Sequence, residues 1–259
     1  MVAQPEDMSA MVIKCIEAGK NVFAEKPLGL TAIEAKDLSD RAERAGVILM
    51  VGFMKRYAPS YLKLKEWIAS KELGNVKSFN VDFAVNSTEF CKSEEDYLKL
   101  AAIHIVDLMR YLFGEAIGVS GFKSIEGSNL SQSISLKFES GIIGSAYFVG
   151  MDAWSREREN ILVTFEKGFI SIEEINKIII HKSRNTAHVS WQSQTEEDTI
   201  LTPSATPMSG AYRDLYLRGF VGELTHFAEK CISGETPKTS GEDNVKTMEL
   251  IELILSELN

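Results

Sequence analysis

Asn21-Val22-Phe23-Ala24-Glu25-Lys26-Pro27 is the stretch from which the rest of this chain is read. Val22 and Phe23 suit a buried strand, and Pro27 has no N–H to give a ladder, so the strand should end there. A lysine is thereby delivered to the carboxyl end of a strand, the edge of an open α/β sheet at which ligands bind. Taken alone, Lys26 reads as an ordinary solvated side chain of a βα loop. Its neighbours change that reading.

On the amino-terminal side, Met8, Met11, Val12, Cys15 and Ile16 recur at helical spacing, with Asp7 as a cap and Gly19 as a stop. On the other side, Thr31 and Glu34 make a capping-box pattern before a helix through Ala35, Leu38 and Ala42, ended by Gly46. Val47-Ile48-Leu49-Met50-Val51 follows, a continuous apolar run suited to a strand covered on both faces. Helix, strand, helix, strand at this spacing is half of a doubly wound parallel fold.

Past Gly52-Phe53 the pattern changes. A helix is expected over Tyr61 to Ser70, a strand over Val76 to Phe83, and a polar loop over Asn86 to Glu95. Leu98, Ala101, Ala102, Ile105, Leu108, Met109 and Leu112 mark an amphipathic helix ending at Gly114. Strand signals run from there to about Ile200. Ile134 to Phe138 alternates, Ser140-Gly141 turns, and Ile142 to Val149 returns as an antiparallel hairpin, with further strands over Ile161 to Phe165, Phe169 to Ile172 and Lys177 to His181. His188 to Thr206 is polar and reads as a surface excursion. Helices over Leu217 to Ser233 and Asn244 to Leu258 close the chain.

The expected fold is therefore α/β plus α+β. A partial, doubly wound parallel half, residues 1–57, precedes a mostly antiparallel-sheet unit, residues 58–259, with helices on one face and the last helix packing back on the first half. An open sheet face calls for a partner, so a homodimer or larger homo-oligomer is expected.

The composition sets limits. A chain of 259 residues, 44% hydrophobic and 25% charged, is ordinary for a soluble protein with a real core. Its formal net charge of −9 argues against nucleic acid and anionic membrane as partners. No apolar run reaches the length of a membrane span. Cys15, Cys91 and Cys231 are scattered and without metal-ligand spacing, which suggests free thiols and a cytoplasmic setting.

Four segments, in order, resemble the Gfo/Idh/MocA oxidoreductase family. Ala18-Gly19-Lys20-Asn21-Val22 leading to Glu25-Lys26-Pro27-Leu28 is similar to its AGKxVxxEKPL signature. Gly52-Phe53-Met54-Lys55-Arg56, with Pro59, is similar to its GFxxRxxP segment, and His104-Ile105-Val106-Asp107-Leu108 to its HxxDL segment. Phe220, Glu223-Leu224, Phe227, Pro237 and Asp243 resemble its carboxyl-terminal helices.

The resemblance implies an NAD- or NADP-dependent oxidation or reduction of a hydroxyl or carbonyl on a sugar, polyol or similar small molecule. It makes Lys26 and His104 the catalytic pair, with Lys26, His104 and Asp107 at the substrate. Gln4, Pro5, Glu25, Lys26, Pro27 and Arg56 are the cofactor-binding candidates. Chemically, an ammonium stabilises a developing alkoxide and an imidazole takes the proton. Asp107 either orients the His104 ring or caps the solvent side of its helix, and Arg56 either faces the cleft or pairs as a structural ion. His181, His188 and His226 match nothing and are taken as structural or exposed.

Two departures from the family pattern stand out. Leu100 occupies the place where many members carry an aspartate, four residues before the histidine. No Gly-x-Gly occurs among the 18 glycines, and Val2-Ala3-Gln4-Pro5 resembles the end of the family's fourth strand. These residues by themselves are thus expected to bind NAD(P) feebly, a longer native chain to bind it well. The alternative is a degenerate, non-catalytic binding or assembly module.

Overall fold

The computed structural model describes residues 4–183, 197–205, 207–210 and 212–258. Its first unit is α1 (Pro5–Glu17), β1 (Val22–Ala24), α2 (Ala32–Ala45) and β2 (Leu49–Val51), with β1 and β2 paired in parallel, Val22 opposite Leu49. Helix α1 begins earlier than its Asp7 suggested. Gln4 is the extended N-cap and Pro5 takes the first helical position, where a missing N–H costs nothing. Thr31 caps α2 by accepting from the Glu34 N–H, while the Glu34 carboxylate accepts from the Leu30 N–H. Strand β2 starts two residues later than expected: Val47 N–H closes the end of α2 on the Ala42 carbonyl, and Ile48 N–H is held by the Asn21 side chain.

A 3₁₀ turn (Met54–Tyr57) leads into α3 (Pro59–Ser70) and β3 (Val76–Val85). The turn α4 (Glu94–Asp96) opens a π-helix over Tyr97–Ala102, which passes directly into α5 (Ile103–Phe113). The strands β4 (Ala116–Glu126), β5 (Asn129–Phe138), β6 (Ile143–Gly150), β7 (Arg158–Phe165), β8 (Gly168–Glu173), β9 (Lys177–Lys182) and β10 (Asp198–Leu201) complete an eight-stranded sheet in the order β10-β9-β8-β7-β3-β6-β5-β4. All its pairs are antiparallel except β3 with β6. Edge strand β10 lies inside the stretch read as a surface excursion, of which residues 188–196 and 206 lie outside the described residues.

One face of this sheet is closed by α3 and α5, with Phe79 stacked on Phe113 at 4.1 Å and Phe138 edge-on to both. The other face carries Phe122, Ile143, Tyr147 and Leu162 in the open among serines. The carboxyl-terminal helices are α6 (Tyr212–Leu217), α7 (Phe220–Ser233) and α8 (Gly241–Glu257). What read as one helix from Leu217 is broken by Gly219, whose φ of +95° lets its backbone lie against the Met54 carbonyl. Helix α8 spans the two sheets. Asn244 reaches the Leu28 carbonyl at 2.9 Å, Glu252 accepts from Ala32 N–H at 2.8 Å, and Leu258 bridges to Gly121 of β4.

Candidate active site

The carboxyl end of β1 faces the start of α5. Lys26 is half-buried, and its ammonium donates to the Leu100 main-chain carbonyl. That carbonyl belongs to the π-helix, a geometry that inserts a residue into a helix and recurs at functional sites. The turn is pinned from beneath by Tyr97, whose hydroxyl donates to the Val149 carbonyl at 3.1 Å. Burial lowers the pKa of Lys26, against the raising effect of Glu25.

His104 stands one turn on. Its ring meets Phe53 edge-on at 6.2 Å, and its shielded Nδ1 has no hydrogen-bond partner. Burial, then the charges of Lys26, Lys55 and Arg218, push its pKa well below the usual histidine value, so the ring is neutral at neutral pH. Neutral is what a proton acceptor must be.

Sequence reasoning missed several groups here. Lys55, 5% exposed, pairs with buried Glu159, which also accepts from the Tyr61 hydroxyl at 2.5 Å. Arg218 was overlooked too. Glu223 is fully buried and, through burial and the nearby Glu25 charge, has its pKa raised to about 8. Lys55 lay inside the GFxxRxxP stretch and was legible as a charge next to the arginine; nothing marked Glu159, which arrives from β7.

Two assignments are corrected. Asp107 is fully buried and accepts from Arg56 through both oxygens, at 2.7 and 2.6 Å, and from Thr247 at 3.0 Å. It neither orients the His104 ring nor caps the helix toward solvent, and its occupied oxygens leave nothing for substrate. Arg56 is the structural ion: it also pairs with Asp243 at 2.6 Å and stacks over Tyr111, which takes it out of the cofactor-binding set. A carboxylate held by a two-pronged guanidinium in the interior orders the junction of the 3₁₀ turn, α5 and α8. Among the described histidines left unassigned, His181 contacts Asp198 and stacks on Phe169, and His226 packs on Tyr57; His188 lies outside the described residues.

The described residues hold no cluster of histidine, cysteine and acid able to bind a metal ion. For a dinucleotide they fit one end only. Lys26, Glu25 and Pro27 line the strand edge where a nicotinamide would lie. The two helix starts of the small sheet are poor phosphate cradles. Helix α1, at Gln4 and Pro5, has Glu6 and Asp7 in its first turn, and α2 gives its Ala32 N–H to Glu252.

A parallel βα unit beside a large helix-backed sheet, with Lys26 at the end of β1 held to the turn that leads into His104 of α5, suits a dinucleotide-dependent dehydrogenase. A model for the NAD-binding Rossmann fold of the Gfo/Idh/MocA oxidoreductases matches residues 2–53, and one for the family's C-terminal domain matches residues 61–171. The chain belongs to the Gfo/Idh/MocA family. It is 29% identical over 253 residues to scyllo-inositol 2-dehydrogenase (NAD(+)) of Bacillus subtilis, covering 93% of this chain and 69% of that protein. Myo-inositol 2-dehydrogenase of Thermotoga maritima is 27% identical, with 91% and 69% covered. Among solved structures, a dehydrogenase from Chromobacterium violaceum superposes with a TM-score of 0.86 at 20% identity, covering 99% of this chain and 74% of the other. Levoglucosan dehydrogenase in complex with NADH gives 0.82 at 18% identity, with 98% and 76% covered.

Proposed function

We propose that the chain is an NAD(P)-dependent oxidoreductase acting on a hydroxyl or carbonyl of a sugar, polyol or similar small molecule. The carrying observation is the Lys26 ammonium, held on the Leu100 carbonyl one turn before His104, whose buried Nδ1 has no hydrogen-bond partner; burial also lowers the pKa of that ring. When bound, the nicotinamide supplies the hydride acceptor. Lys26 then donates a hydrogen bond to the substrate oxygen and stabilises the negative charge that grows there. His104 takes the hydroxyl proton and returns it in the reverse direction. The Leu100 side chain offers no carboxylate, so its main-chain carbonyl tethers the lysine instead.

Lys26→Ala should lower turnover of an inositol or aldose panel at millimolar NAD(P) by about 10²–10⁴-fold, with the thermal melt unchanged. Turnover that survives the substitution would remove Lys26 from the chemistry. Cofactor affinity is a separate expectation. Glu6 and Asp7 fill the first turn of α1, and Glu252 takes the Ala32 N–H of α2, so neither helix start would offer free donors to a phosphate, and each charge-assisted bond not made weakens binding by about 1.5–3 kcal/mol, or tenfold and more. NADH fluorescence should titrate in the millimolar range, and a micromolar constant would refute the assignment of those helix starts.

We further assign residues 1–57 to the dinucleotide-binding unit and residues 58–259 to the substrate unit, and place a homodimer contact on the open sheet face. A cytoplasmic location fits the free thiols; among the described residues no helix is long and apolar enough to cross a membrane.

A further inference from the structure

Lys26 is preceded by a carboxylate, Glu25, that lies across the end of the small sheet. Phe23 and Glu25 share one side of β1, and both reach Gly52 just past β2. A Cβ on that glycine would meet Glu25 Oε2 at 3.1 Å and the tip of the Phe23 ring at 3.3 Å. Helix α7 covers the same spot, with Phe227 on Phe23 at 5.7 Å between ring centroids. The first turns of α7 lie at the carboxyl edge of the sheet, because Gly219 and Gly222 rest on Met54 and Tyr57 of the turn that leaves β2. Glu223, one helical turn before Phe227, therefore stands over Glu25.

Glu223 is also the one buried residue of α7, 1% exposed, where an amphipathic helix ordinarily buries an apolar side chain. Its Oε2 receives no hydrogen bond. The ionisable groups around the two carboxyls are committed elsewhere. Lys26 donates to the Leu100 carbonyl, Lys55 pairs with Glu159, and Arg56 with Asp107 and Asp243. Tyr57 turns to Thr239, His226 accepts from the Lys238 N–H, and Arg218 lies over Phe220. Two carboxyls that meet out of water do not both ionise. The proton falls to Glu223, the deeper one, whose pKa is raised to about 8 by burial and then by the Glu25 charge. A neutral carboxyl brings its own donor, and the acceptor beneath it is the Glu25 carboxylate.

Building on the oxidoreductase reading, we infer that Glu223 is a positioning residue for Lys26: its carboxyl O–H donates to the Glu25 carboxylate and fixes that single negative charge beside the ammonium. Burial works to strip the Lys26 proton, and the Glu25 charge is the largest of the effects that retain it. The ammonium is the form that stabilises a developing alkoxide.

The test reads the Lys26 proton rather than turnover. The full 259-residue chain is labelled with acetic anhydride between about pH 6.5 and 9.5, and acetylation of Lys26 is measured by peptide mass spectrometry against exposed Lys71. Glu223→Gln, neutral at every pH, should match the parent near pH 7. Near pH 9 the parent's Glu223 has ionised, and a second negative charge guards the ammonium. Lys26 of Glu223→Gln should then react about threefold to tenfold faster than that of the parent. Glu25→Gln should raise the Lys26 rate by a similar factor already at pH 7. Glu229→Gln, an exposed change on the same helix, should follow the parent throughout. Parent and Glu223→Gln curves that superimpose up to pH 9.5 overturn the inference, and so does a Glu25→Gln curve that matches the parent. Should Glu223→Gln not fold, the Glu223 side-chain carboxyl resonance is titrated by NMR in the parent and in Glu25→Gln. A midpoint about one pH unit lower in the variant supports the pair, and an unchanged midpoint overturns it. None of these readouts involves the cofactor. Superimposed curves therefore leave the oxidoreductase reading standing on the Lys26→Ala turnover, while surviving turnover there removes that reading without altering the labelling.

Discussion

At the residue scale, the site is governed by which ionisable groups are buried with a counter-charge and which without. Arg56 and Asp107 satisfy each other, and their role is structural. Glu223 is the opposite case. Its carboxyl lies buried with Oε2 unpartnered and with the Glu25 charge nearby, which raises its pKa from about 4.5 to about 8. The folded chain therefore holds this proton more tightly than the unfolded chain does. The stabilising contribution is complete below pH 4.5 and is lost as pH rises through 8, with a slope of up to about 1.4 kcal/mol per pH unit. Glu223→Gln, which stays neutral, should flatten the fall of the melting temperature between pH 5 and pH 8.5 and should melt higher than the parent at pH 8.5. Parallel curves for the two proteins would count against a buried, protonated Glu223. His104 carries a matching expectation. Its NMR titration should have a midpoint below 6.5, and Lys55→Met should move that midpoint upward by removing one of the cations that oppose the imidazolium.

At the scale of elements, two irregularities stand out. The π-helix from Tyr97 to Ala102 brings the Leu100 carbonyl to Lys26 just before regular α5 begins at Ile103. The break at Gly219 lays the backbone between α6 and α7 on the Met54–Ala58 turn. Any side chain there meets main-chain atoms, which cannot swing aside, and the φ of +95° disfavours it as well. Gly219→Ala should therefore cost about 1–3 kcal/mol. For a chain of this length that is a drop of about 2–4 °C in melting temperature per kcal/mol. An unchanged melt would show that the approach of the two segments is looser than described.

At the scale of the whole molecule, the eight-stranded sheet is closed on one face and open on the other. Phe122 and Tyr147 lie on the open face opposite Ser133 of β5, with Phe122 75% and Tyr147 43% exposed. Apolar side chains in that position mark a surface that a second copy would cover. Light scattering at micromolar concentration should return a dimer mass. The double substitution Phe122→Lys, Tyr147→Lys should return a monomer mass without loss of secondary structure. A monomer from the parent chain would reject the dimer.

The local pattern determined a good deal by itself. The alternation and turns from Ile134 to Val149 specify a hairpin, because a strand's side-chain period of two admits no other face assignment. Val22-Phe23-Ala24 before Lys26-Pro27 likewise specifies a strand that must end ahead of the proline, with a lysine just past its carboxyl end. Tertiary structure alone decided the rest. A 3.6-residue period is nearly indistinguishable from a π insertion over six residues, so the tether of Lys26 to Leu100 was invisible. The fates of Arg56 and Asp107 were equally hidden, since an ion pair closed by residues 51 positions apart, and by Asp243 from α8, leaves no spacing to read. Parallel pairing of β3 with β6 and the meeting of Lys55 with Glu159 belong to the same class: contacts between distant segments, selected by the packing of the whole core rather than by any local sequence.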